Sequence, residues 1–251
     1  MSEINKSKIG VVILAAGRGT RLGCVDMPKV MMEIGGKPIV SYIVDTLEKM
    51  GFSSKQICLV VGYHKEKVME YFGERVTYAV QEELLGTAHA AYTGMKVLSE
   101  NIEEVLVIGG DDSAFYTEKS LLHLLSIHEE NNDTLTLLSA EVESPAGLGR
   151  VVRQENGDFQ VIEKEYLTPE QESIHEISTG TFVFKRSWFE NMFPTMPKLQ
   201  KLGEYGLPTT LTLVREEKLP YHVVRLEDGN EFFGVNTLEQ LEEAHKRKNN
   251  T

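Results

Sequence analysis

The chain has 251 residues, 41% hydrophobic and 25% charged, the balance of a soluble globular protein with enough length for one large domain or two small ones. A formal net charge of −12 argues against a nucleic-acid surface, and no apolar run approaches the roughly 20 residues that span a bilayer. The polar start MSEINKSKIG lacks the apolar core of an export signal, so a cytoplasmic protein is expected, with Cys24 and Cys58 as free thiols at no metal-ligand spacing.

The first legible element is an apolar strand over Ile9–Ala16, which runs into Gly17, Gly19 and Gly23 and the cations Arg18, Arg21 and Lys29. Through Lys37 six cations face three carboxylates, a surplus of three that leaves the rest of the chain at −15. A positive focus on an acidic molecule points to a compact anionic ligand. Past Pro28 comes a second strand-like piece, then a helix whose face is Ile39, Ile43, Val44, Leu47 and Met50. Strands at Gln56–Gly62, Val76–Gln81 and Glu104–Gly109 follow, with helical patterns between and after them. One is TAHAAYTGMKV; another aligns Leu121, Leu122, Leu125 and Ile127 behind a Thr117 N-cap. This alternation predicts a mostly parallel sheet covered on both sides.

Later the pattern changes. RVVRQENGDFQVIEK reads as two short strands around a turn at Asn156-Gly157. Ser178–Phe184 and Tyr221–Leu226 read as strands, and Trp188, Phe189 and Phe193 as core aromatics at helical spacing. Leu238–Lys248 reads as a charged helix with its face at Leu238, Leu241 and Ala244. No linker, low-complexity stretch or repeat separates a second domain, so the hairpin half is expected to form a substrate-binding subdomain on the same sheet.

A strand ending in Ala15-Ala16-Gly17 delivers its loop to the carboxyl edge of a parallel sheet, where ligands of open α/β folds sit. The glycines let successive N–H groups turn toward one anion while Arg18, Arg21 and Lys29 surround it. Neither familiar phosphate loop fits. No G-x-x-x-x-G-K-[ST] run occurs, and Gly17, Gly19 and Gly23 give G-x-G-x-x-x-G, one residue longer than the dinucleotide fingerprint. A glycine-rich turn with merely solvated cations stays open as the plain alternative.

The string LAAGRGTRLGCVDMPKVMMEIGGKPIV resembles the L-A-(A/G)-G-x-G-T-R-(M/L)-x(n)-P-K signature of sugar-1-phosphate nucleotidyltransferases, most of all the uridylyltransferase domain of the bacterial N-acetylglucosamine-1-phosphate uridylyltransferases. Further strings appear in that family's order: QEELLGTAHA (81–90), GGDD (109–112), GLGRVVR (147–153), VIEK (161–164), STG (178–180), GEY (203–205) and GVN (234–236). The resemblance implies a Rossmann-like, glycosyltransferase-A-like α/β fold in one domain over 1–251, with a nucleotide-binding half to about residue 115 and a sugar-binding half over 116–251. It implies transfer of a nucleoside monophosphate from a triphosphate, expected to be UTP, to a hexose or N-acetylhexosamine 1-phosphate. Because the attacking phosphate is already an anion, such a reaction needs positioning, cations and a metal, and no general base.

By the same resemblance, Arg18 and Arg21 would grip the β- and γ-phosphates, with backbone donors from Gly17 and Gly19, and Lys29 would sit nearer the reacting groups. Mg²⁺ would be held by Asp111 with Asn236, and Asp112 is the alternative ligand; taken without the family, an Asp-Asp pair after a strand reads more readily as a solvated turn or helix cap. Gln81, Gly86 and Thr87 would read the base, a glutamine amide offering one donor and one acceptor to uracil, and backbone of Leu14, Ala15, Ala16 and Gly17 would complete its edge. Gly149, Glu163, Ser178 and Thr179 would line the sugar pocket. Two departures bear on substrate identity. Ser178 stands where the N-acetylglucosamine enzymes generally have Asn, and GGDDSAFY differs from the usual Y-G-D-x-P-L. His89 reads as a packing or capping residue, HEENND (128–133) as a helix end and turn, and Cys24 as incidental. The chain carries no hexapeptide repeats of the kind that build the acetyltransferase half of bifunctional members, so that second activity is not expected. Alternatives are the same transfer with dTTP or CTP and another phosphorylated acceptor, or a catalytically silent nucleotide-sugar sensor.

Overall fold

Ile9–Ala15 forms β1, which is buried on both faces because a strand pairs on each side of it and helices cover it front and back. In this computed structural model, which describes residues 4–19, 22, 26–145, 147–155, 158–201 and 203–249, β1 is followed by β2 (Glu33–Ile34), β3 (Lys37–Pro38), α1 (Ile39–Lys49), β4 (Ile57–Val61), α2 (Lys65–Phe72), β5 (Thr77–Val80), α3 (Thr87–Met95) and β6 (Glu104–Gly109). Then come α4 (Glu118–Glu130), β7 (Leu135–Glu141), β8 (Arg150–Arg153), β9 (Phe159–Ile162), α5 (Pro169–Glu172), β10 (Glu176–Lys185), α6 (Arg186–Met192), α7 (Thr209–Glu216), β11 (Tyr221–Arg225) and α8 (Leu238–Asn249).

The main sheet runs β11-β7-β10-β6-β1-β4-β5. Along this path only β10 opposes the rest, so the carboxyl ends of six strands share one edge and β10 starts from it. The fold is thus the expected mixed, mostly parallel α/β sheet flanked by helices. On one face Val11, Ile13 and Ala15 pack with Ile43, Val44 and Leu47 of α1 and Leu121, Leu124 and Leu125 of α4. On the other, Val12 and Val60 meet Ala88, Ala91 and Met95 of α3 and the fully buried Phe182, Phe184 and Phe189. Each Val, Leu, Ile, Met or Phe side chain among these, removed from water, stabilises the fold by about 1.5–3 kcal/mol. A smaller cluster of Leu22, Ile34, Ile39, Val235 and Ala244 seats α8 on the β2–β3 pair.

The four early strands lie within a residue of their expected ends, and the Thr117 hydroxyl caps α4 by accepting from the Ser120 N–H. Such a cap stabilises by about 1 kcal/mol. The hairpin is present as β8 and β9, paired from Arg150↔Ile162 to Arg153↔Phe159, and β8 joins the same sheet through β10; its turn at Asn156-Gly157 lies outside the described residues.

Some expectations are corrected. β7 was not anticipated, because it is buried on both faces and its apolar residues are interrupted by Thr136 and Ser139, whose hydroxyls bond to Asp133 and Glu176. Nor was α7. Leu238 is 60% exposed at the first turn of α8 and does not belong to its buried face, which Ala244 marks. Trp188 is only half-buried, its indole N–H donating to Glu217, whereas Phe189 and Phe193 are core. Among the described residues no helix is long and apolar enough to cross a membrane.

Candidate active site

The carboxyl edge of the sheet gathers the residues singled out in the sequence. β1 ends at Ala15, and the Gly110 N–H donates to the Leu14 carbonyl (3.0 Å), fastening the loop after β1 to the loop after β6. Lys29 follows Pro28 on a one-turn 3₁₀ helix, Lys29–Met31, so this stretch does not open a long helix as a dinucleotide loop does. The segment before α8 docks onto the end of β6: the Phe233 N–H donates to the Asp112 carbonyl (3.3 Å) and the Val235 N–H to that of Asp111 (3.2 Å).

Three side chains from distant parts of the chain converge there. Lys29 forms an ion pair with Asp111 Oδ2 and donates to Asn236 Oδ1 (3.0 Å), so one ammonium bridges both oxygens expected to hold a metal. They share a cavity of about 230 Å³ with Leu14, Gly17 and Gly19. Asn236 is held by a local cap whose residues lie close together in the sequence. Thr237 and Gln240 form a T-x-x-Q capping arrangement at the start of α8, in which Gln240 Oε1 accepts from the N–H groups of Asn236 (2.7 Å) and Thr237 (3.1 Å).

Gly110, Asp111 and Asp112 form a turn after β6 and not the solvated turn of an isolated acidic pair, and Asp112 does not line that cavity. The residue is half-buried, but its Oδ1 is shut off from solvent and has no partner among the described residues. Burial first, and the neighbouring Asp111 second, push its pKa well above the ordinary carboxylate range. The carboxyl occupies space that any side chain at position 109 would claim; an ideal Cβ on Gly109 would sit on Asp112 Oδ1.

Arg18 lies elsewhere. It is exposed, its guanidinium carbon is 5.8 Å from the centre of the Tyr63 ring, and it lines a second cavity of about 190 Å³ with Gly62, Tyr63, Lys65, Gln81 and Leu84. Arg21, with Gly23 and Cys24, lies outside the described residues.

Gln81, at the end of β5, is 5% exposed, and its backbone N–H continues the ladder to the Val61 carbonyl (2.8 Å). Its side-chain Nε2 lies 3.2 Å from the Gly86 carbonyl oxygen and 2.9 Å from His89 Nδ1. The donor half of this amide, expected to face a base, is therefore engaged by the protein. His89 is not just packing. Gly86 precedes α3 with φ of 106°, and a Cβ there would come within 2.5 Å of the Tyr205 carbonyl oxygen, so glycine alone fits. The GEY segment clasps this loop: the Tyr205 N–H donates to the Leu85 carbonyl (2.7 Å) and the Ala88 N–H to that of Tyr205 (2.8 Å). Thr87 Oγ1 accepts from the Leu207 N–H (3.0 Å).

The residues expected for a sugar lie around β8, β9 and the start of β10. Gly149 and Glu163 are neighbours, an ideal Cβ on the former being 3.5 Å from Glu163 Oε2, and the Ser178 N–H donates to the Gly149 carbonyl (3.2 Å). Burial, then the nearby Glu165, raises the Glu163 pKa. β10 is irregular between Ser178 and Phe182, the local distortion that re-aims side chains beside many binding sites. Thr179 is only 2% exposed, and its hydroxyl donates to the Leu138 carbonyl (2.7 Å), so it is a strut under this region and not a wall of it.

Residues 10–246 match the family model described as nucleotidyl transferase. The bifunctional protein GlmU of Halalkalibacterium halodurans is 34% identical over 243 residues, covering 95% of this chain and 52% of that protein. GlmU of Symbiobacterium thermophilum is 38% identical over 217 residues, 85% of this chain and 45% of the relative, so the chain spans about half the length of these relatives. Among solved structures, one from Bacillus anthracis assigned as a glucose-1-phosphate thymidylyltransferase, in complex with a sucrose, superposes with a TM-score of 0.80 at 18% identity, covering 97% of this chain and 96% of that one. HddC from Yersinia pseudotuberculosis, complexed with GMP-PN, gives 0.70 at 21%, covering 95% and 98%. Both likenesses concern the fold.

Proposed function

The chain belongs to the nucleotidyl transferase family, and from that premise we propose that it transfers a uridylyl group from UTP to a hexose or N-acetylhexosamine 1-phosphate, releasing pyrophosphate with the help of Mg²⁺. The observation that carries this reading is the convergence of Lys29, Asp111 and Asn236 in one cavity beside the glycine loop. We read the described chain as one unit in which the half to about residue 115 takes the nucleotide and the rest takes the sugar phosphate; the single sheet through both halves supports this. A cytoplasmic setting belongs to the same proposal.

The donor set fits a small hard cation. Asp111 Oδ2 and Asn236 Oδ1 are both oxygens and already converge on one positive charge, the Lys29 ammonium. Among the described residues no cluster of three or more His, Cys, Asp or Glu could enclose a metal, so the remaining positions would fall to phosphate oxygens and water. When bound, the ion supplies positive charge that offsets repulsion between the two anionic substrates.

The chain's own part is orientation and charge. Asp111 and Asn236 would hold the cation, and Lys29, which in this structure bridges the two, would turn its ammonium to the phosphates. Backbone N–H groups at Gly17 and Gly19 meet phosphate oxygens at the end of β1. Arg18 and Arg21 take the outer phosphates, Arg18 leaving the Tyr63 ring to do so. A phosphate oxygen of the sugar phosphate attacks the α-phosphorus; the new P–O bond forms as the bond to pyrophosphate breaks, and no proton need be removed. Gln81, with Gly86, Thr87 and backbone at Leu14–Gly17, receives the base. Gly149, Glu163 and Ser178 receive the sugar, over the strut of Thr179. The test is pyrophosphate release with UTP, Mg²⁺ and a panel of sugar 1-phosphates. No release with any acceptor and any common nucleoside triphosphate overturns the reading.

A further inference from the structure

The base cavity contains a hydrogen-bond arrangement that the proposed transfer does not by itself require. The Gly86 carbonyl can only accept, so Nε2 of Gln81, 3.2 Å away, and not Oε1, must face it. The His89 ring offers a second acceptor. Burial lowers its pKa, with Glu83 working against the shift and Lys96 adding to it, so the neutral ring presents a bare Nδ1 to Nε2 at 2.9 Å and keeps its proton on Nε2 of the imidazole. Both hydrogens of the Gln81 amide are consumed in this way. Oε1 remains, and it has no partner among the described residues. The ring is also held in place, 6.2 Å from that of Phe193, which stacks on Tyr92 and touches Tyr205, the residue that clasps the Gly86 loop.

We propose that His89 is a positioning residue that locks the Gln81 amide with its oxygen outward, so that the cavity selects a pyrimidine carrying N3–H and rejects one whose N3 is a bare acceptor. The inference rests on the nucleotidyl-transfer reading above. Uracil and thymine present a donor at N3. Cytosine presents a lone pair there, and against a fixed carbonyl oxygen that pairing leaves two buried acceptors facing each other, worth about tenfold to a hundredfold in binding. A free glutamine would flip and serve both bases. Gly86 opposes the flip with one contact and His89 with a second.

The experiment compares UTP and CTP with the wild type and with His89→Leu and His89→Asn, reading nucleotide affinity in the absence of acceptor as well as kcat and KM. His89→Leu is expected to reduce the preference for UTP over CTP by about tenfold, through KM and not through kcat for UTP. In His89→Asn, Oδ1 replaces Nδ1 as acceptor and restores most of the preference, which a purely structural role for the ring would not produce. Independently of any variant, N3-methyl-UTP should bind the wild type about tenfold or more weakly than UTP. Equal binding of N3-methyl-UTP and UTP, or an unchanged UTP-to-CTP ratio in a folded His89→Leu protein, overturns the lock alone. A wild type that binds no pyrimidine nucleotide overturns the lock together with the reading beneath it.

Discussion

The two cavities at the sheet edge are built on opposite principles. Around Lys29, Asp111 and Asn236 the groups are charged or strongly polar and satisfy one another, the ammonium standing where a metal ion is proposed to bind. Arg18 and Lys65 line the cavity of Gln81 as well, but the Gln81 amide itself bonds only to neutral partners, a backbone carbonyl and an imidazole that burial keeps uncharged. A charged cluster can exchange one cation for another without moving the strands that carry it. A neutral network cannot rearrange so cheaply, because a turned amide leaves an acceptor against an acceptor. In the proposed reading, chemistry falls to the adjustable end and base choice to the preset end.

The sharpest way to break this contrast is at Asp111. Asp111→Ala should lower turnover on the order of 10²–10³-fold while leaving nucleotide discrimination intact, checked by pyrophosphate release at saturating Mg²⁺ with UTP and CTP. Lys29→Ala comes next, with a fall of about 10²-fold in kcat and a smaller one in nucleotide affinity, and Lys29→Arg should recover only part because a planar guanidinium cannot occupy the same bridging point. A loss of base preference in either variant would mean that the two ends are not separable.

Gly86→Ala acts on the preset end. The methyl group would meet the Tyr205 backbone and the residue would keep a φ suited to glycine, so a destabilisation of about 1–3 kcal/mol is expected, with a raised KM for nucleotide, read by urea unfolding and by kinetics. Asp112→Asn probes the ground beneath the charged end by stability alone. The folded-state pKa of Asp112 is raised, so its contribution is complete below the ordinary carboxylate pKa and is lost as pH rises through its own higher value. Metal-free wild type should therefore lose stability relative to Asp112→Asn as pH climbs above the ordinary carboxylate range, seen as a widening gap in Tm. A constant gap from pH 4 to 8 would mean that Asp112 is not held protonated.

Sequence periodicity gave access to those parts of the molecule where one residue type repeats for one reason. Continuous β-branched runs marked β1, β4 and β6 because strands buried on both faces need apolar side chains throughout. β7 escaped because Thr136 and Ser139 are buried there with internal partners that only tertiary structure supplies. The charged site was legible through family resemblance, since Lys29, Asp111 and Asn236 lie more than 200 residues apart at the extremes and no spacing rule joins them. The His89–Gln81 pair lies eight residues apart, yet the contact depends on how α3 leaves the Gly86 turn, which no periodicity encodes. The T-x-x-Q cap beside Asn236 was readable from local chemistry alone.

The smallest expected effect sharpens the same comparison from underneath. Cys58 lies in β4, between β1 and the edge strand β5 that leads into Gln81, and it is fully buried. Burial, only partly offset by bonds with Thr77 and the Ala79 backbone, pushes its thiol up to about 12. At pH 8 the thiolate fraction is then on the order of 10⁻⁴, so the native thiol should react with an aromatic disulfide only through opening of the β4–β5 edge. In a Cys24→Ser background, which leaves Cys58 as the single cysteine of the chain, the labelling rate reports that opening directly. Gly86→Ala should speed it several-fold by loosening the loop that continues from β5, whereas Asp111→Ala should not change it. Equal acceleration by both would show that the charged and neutral ends share one cooperative unit, and the separation argued here would fail at its structural root.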